Sequence, residues 1–81
     1  MRVRVSVYKT SSHKNLFLYV SEAEGLSRVP QSLLCRFVDR LLVLNFELKV
    51  GNFLAKEDPE VVLRNIHQMG YHLQLPPVTK I

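Results

Sequence analysis

The chain has 81 residues, 47% of them hydrophobic and 22% charged, with a formal net charge of +4. That leaves room for one domain and not two, is too apolar for disorder, and contains no run near the roughly 20 apolar residues of a membrane-spanning helix. Cys35 is the one cysteine, which excludes an intrachain disulfide and a cysteine-based zinc site.

The first eight residues alternate. Val3, Val5 and Val7 point one way and Arg2, Arg4, Ser6 and Tyr8 the other, which predicts a half-buried strand with its valines in the core and its arginines wet. The same alternation lacks the continuous apolar block of a signal peptide, and together with the lone cysteine it predicts a cytoplasmic protein. Thr10 to Asn15 reads as a polar linker. Leu16 to Val20, apolar on both faces, reads as a second strand inside the sheet, hairpinned to the first. Ser21 to Gly25 is an acidic turn.

Helix 1 is expected to open with Pro30 at its first position and to end near Asp39, with Leu33, Leu34, Phe37 and Val38 on its buried stripe. Leu41 to Leu48 is the most apolar stretch and reads as a central strand. Gly51-Asn52 marks a turn, and Phe53 to Lys56 can return as a short extra strand. Helix 2 has the clearest limits: Asp58 as N-cap, Pro59 at the first position, and Gly70 at the left-handed end. Its predicted stripe is Val62, Leu63, Ile66 and Met69. Tyr71 to Leu75 then reads as a last strand with Tyr71, Leu73 and Leu75 inward and His72 and Gln74 outward, stopped by Pro76-Pro77.

The expected fold is therefore α+β. It is one small domain over residues 1–81, with a core of 2–77 and a short tail of 78–81. A mostly antiparallel sheet of four or five strands carries two helices in the order β-β-α-β-(β)-α-β.

Three segments together resemble the YcgL domain family of gammaproteobacteria: Leu18-Tyr19-Val20, then Ser27-Arg28-Val29-Pro30, then Gly70-Tyr71-His72-Leu73-Gln74-Leu75-Pro76-Pro77. The resemblance spans nearly the whole chain and implies a compact sandwich of helices and sheet. It brings no catalytic residues and no cofactor to carry over. Many members have glycine where this chain has Val38, so a different end to helix 1 is expected. Longer members continue past the proline pair, so a face that their tail covers is expected to be bare here.

The candidate functional residues are few. All the excess positive charge lies in residues 1–20, on Arg2, Arg4, Lys9 and Lys14, and hints at an anionic partner. Arg2, Arg4 and Tyr8 of the first strand and His72 and Gln74 of the last would share one sheet face if those strands are neighbours. Basic, aromatic and amide groups so arranged suit single-stranded nucleic acid, although a solvated sheet face explains them as well. Ser27 and Arg28 before helix 1 form a candidate anion site, set against simple pairing of Arg28 with Glu22 or Glu24. Cys35 reads as a small core residue rather than a nucleophile, since no histidine is placed beside it. His13, in a loop, and His67 and His72 lack the spacing of a metal motif. Asp58, Glu57 and Glu60 crowd one helix start, where capping explains them.

These features predict a non-catalytic binding or adaptor module with no cofactor, no membrane contact and an unidentified protein partner. Alternatives are an RNA-associated protein acting through the basic first strand and a small enzyme with an unrecognised site. A small core without staples also leads us to expect a homodimer.

Overall fold

The computed structural model describes residues 2–10, 13–49 and 58–74. The turn at Gly51-Asn52, the short strand at Phe53 to Lys56, and Leu75 with the proline pair lie outside these residues. Strands β1 (Arg2–Thr10) and β2 (His13–Ser21) form an antiparallel hairpin, with Thr10 opposite His13. The two strands thus take up most of the stretch that reads as a linker, and His13 belongs to β2 rather than to a loop. Then come helix α1 (Gln31–Leu34), continued by a 3-10 turn at Cys35–Phe37, strand β3 (Leu41–Lys49), helix α2 (Pro59–Met69) and strand β4 (Tyr71–Gln74). The four strands form one antiparallel sheet in the order β3-β1-β2-β4.

Each face of this sheet carries its own core. Val5 and Leu48, with Val3, Phe46 and Tyr19 at the margin, pack under Val62, Leu63 and Ile66 of α2. Leu16, Leu18 and Val20, on the other parity of β2, pack with Val29 and Phe37, joined by Tyr8, Tyr71 and Leu73. Side chains alternate across a strand, so these two sets lie on opposite faces. The result is a three-layer sandwich. The double cover also explains β2, whose two apolar faces each meet a helix.

Neither helix is long enough to be stable alone in water. For α2 the sequence supplies the ends. Asp58 accepts a hydrogen bond from the Glu60 backbone N–H at 2.9 Å, Pro59 opens the helix, and Gly70 closes it at φ 88°, in the left-handed region. Val62, Leu63 and Ile66 are buried as predicted, but Met69, in the last turn, is exposed.

The α1 segment departs further from expectation. Pro30 precedes the helix with ψ 147°, as its N-cap and not its first residue, and the last turn tightens to 3-10. At three residues per turn Phe37 comes to lie directly above Leu34, while the next residue rotates away. Phe37 is accordingly fully buried and Val38 is 78% exposed, so the apolar stripe stops one residue short of the predicted one. Burying a phenylalanine stabilises by about 1.5–3 kcal/mol, which makes Phe37 the anchor of this segment. Cys35 falls on the outer side and is exposed, contrary to its reading as a core residue.

The largest correction concerns β3. It is an edge strand, with β1 as its only neighbour among the described residues. Its second half behaves as predicted, since Leu48 is buried and Phe46 packs beside it. Its first half does not. Leu41, Leu42, Val43 and Leu44 are 43–58% exposed. Apolar character on both faces of a strand is equally compatible with the middle of a sheet and with an uncovered edge. Strand order, which local pattern does not encode, decides between them.

Candidate functional site

The basic sheet face predicted from the sequence does not assemble. β2 separates β1 from β4, so the two strands are not neighbours. Their candidate residues also lie on opposite faces, because Tyr8 packs with the α1-side core while His72 pairs with Tyr19 on the α2 side.

Each residue has a local role. Arg2 opens β1 opposite Lys49. Arg4 is exposed and ion-paired with Glu22 at 3.6 Å. Ser6, which the alternation reads as wet, is buried and donates to Asn45 Oδ1 at 2.6 Å. Tyr8 is half-buried.

On β4 the outward assignment fails because α2 covers that face. His72 is buried, meets Tyr19 edge-on with ring centroids 5.7 Å apart, and lies 2.9 Å from Asn65 Nδ2 through Nδ1. The Asn65 amide nitrogen can donate to Nδ1 when that ring nitrogen carries no proton. Gln74 Oε1 accepts from the Tyr19 hydroxyl at 2.7 Å. These four side chains knit β2, β4 and α2 together in a half-buried polar seam. Asn65 and Tyr19 escape notice in the sequence because nothing local marks them as partners of β4.

Arg28 also turns away from the site proposed for it. Its guanidinium donates to the backbone carbonyls of His67 at 3.3 Å and Gln68 at 2.8 Å, and pairs with Glu24 at 3.5 Å. The cation thus faces the negative C-terminal end of α2, where terminal carbonyls lack helical partners. Ser27 is exposed in the turn beside it. Around this junction lies an open hollow of about 420 Å³, lined by Val3, Ser21, Glu24, Arg28, Ile66 and His67. Its charged groups already engage one another. Among the described residues no group of three His, Cys, Asp or Glu side chains gathers at metal-binding distance.

Among the described residues the outer edge of β3 pairs with no other strand. An edge strand presents a row of outward N–H and C=O groups, and proteins commonly blunt such rows with lysine, proline or inward charges. Leu41 to Leu44 contain none of these. Glu47 and Lys49 stand only at the far end of the strand, and Arg40 stands just before its start.

The family model described as YcgL domain matches residues 5–77. The chain belongs to the YcgL domain family. It is 39% identical over 77 residues to a YcgL domain-containing protein of Azotobacter vinelandii, covering 95% of this chain and 79% of that one. Counterparts in Pseudomonas paraeruginosa and Pseudomonas putida are 44% and 43% identical over 72 residues, covering 89% of this chain and 74% of theirs. These names state no activity, substrate or cofactor. The case for function in this YcgL domain therefore rests on its surfaces, and no helix among the described residues is long and apolar enough to cross a membrane.

Proposed function

We propose that this YcgL domain is a non-catalytic binding module of the cytoplasm, and that it takes an extended protein segment along the β3 edge. One observation carries the reading: four consecutive apolar side chains stand exposed on a strand with a free backbone edge among the described residues. Added strands gain affinity from main-chain hydrogen bonds and specificity from alternate side chains, and this edge offers both. Covering a leucine side chain fully is worth about 1.5–3 kcal/mol, so even partial cover of this run would support binding. The exposed thiol of Cys35 suits a reducing compartment.

The test compares capture from native lysate by the wild-type chain and by a Leu42→Lys/Leu44→Lys variant, each with and without nuclease. The reading expects a protein retained by the wild type, lost by the variant and indifferent to nuclease. Equal capture by both chains would reject it. Capture abolished by nuclease would favour a nucleic-acid bridge instead.

A further inference from the structure

We draw no further inference here: the strongest candidate, the exposed apolar run from Leu41 to Leu44 on the outer edge of β3, belongs to the site already described, and nothing in the structure shows what covers it.

Discussion

A β-carbon placed on Gly70 would fall 2.4 Å from Cβ of Arg28 and 2.9 Å from its Cδ and Nε. Gly70 ends α2 at φ 88°, and the turn before α1 crosses that end so closely that Arg28 can reach the helix carbonyls. Two constraints therefore fall on one residue, a left-handed backbone and a contact with the near part of another side chain. Gly70→Ala should destabilise the fold by about 2 kcal/mol or more, since left-handed geometry alone costs about 1–2 kcal/mol. Urea unfolding measures this. Adding Arg28→Gly should recover part of the loss, whereas Arg28→Ala, which keeps Cβ, should recover less.

Arg28 on its own is worth less than its contacts suggest. Its side chain is 39% exposed and its ion pair with Glu24 is screened. Arg28→Gln should cost under about 1 kcal/mol, with the difference from wild type shrinking as salt rises. Asp58→Ala, at the other end of α2, should cost about 1 kcal/mol with little salt dependence, because it removes a neighbour's cap hydrogen bond. Thermal melts at low and high salt separate the two.

Phe37 and Val38 are adjacent in sequence and opposite in consequence. Phe37→Ala should cost about 3–5 kcal/mol as a large-to-small change in a closed core. Val38→Ser should stay within about 0.5 kcal/mol. Denaturant titrations of both variants report directly on where the 3-10 turn ends the buried stripe.

Cys35 offers a simpler check. Its exposure predicts that a thiol reagent labels the native chain completely without denaturant, while a core cysteine would label only on unfolding. Mass spectrometry after brief treatment decides it.

What the sequence reveals divides along the reach of each interaction. The ends of α2 were legible because Asp58, Pro59 and Gly70 act on backbone within a few residues of themselves. The valines of β1 were legible because alternation is local. The outward reading of His72 and Gln74 failed because alternation reports two faces and not which of them is wet, and here both are covered. The ion pair of Arg28 with Glu24 was legible at a spacing of four residues, but its grip on His67 and Gln68 joins segments some forty residues apart. The β3 edge was hidden for the same reason, since an apolar run does not say how many neighbours a strand will have.

The position of β1 inside the sheet governs the timing of assembly during synthesis. Arg2 meets Lys49 across the ladder, so β1 waits for a strand made nearly fifty residues later before both its sides are satisfied. Until then a nascent hairpin offers valine-rich backbone to any neighbour on the ribosome. Ladders between such distant segments slow folding through loop-closure entropy, which places the risk of mispairing early in the life of each chain.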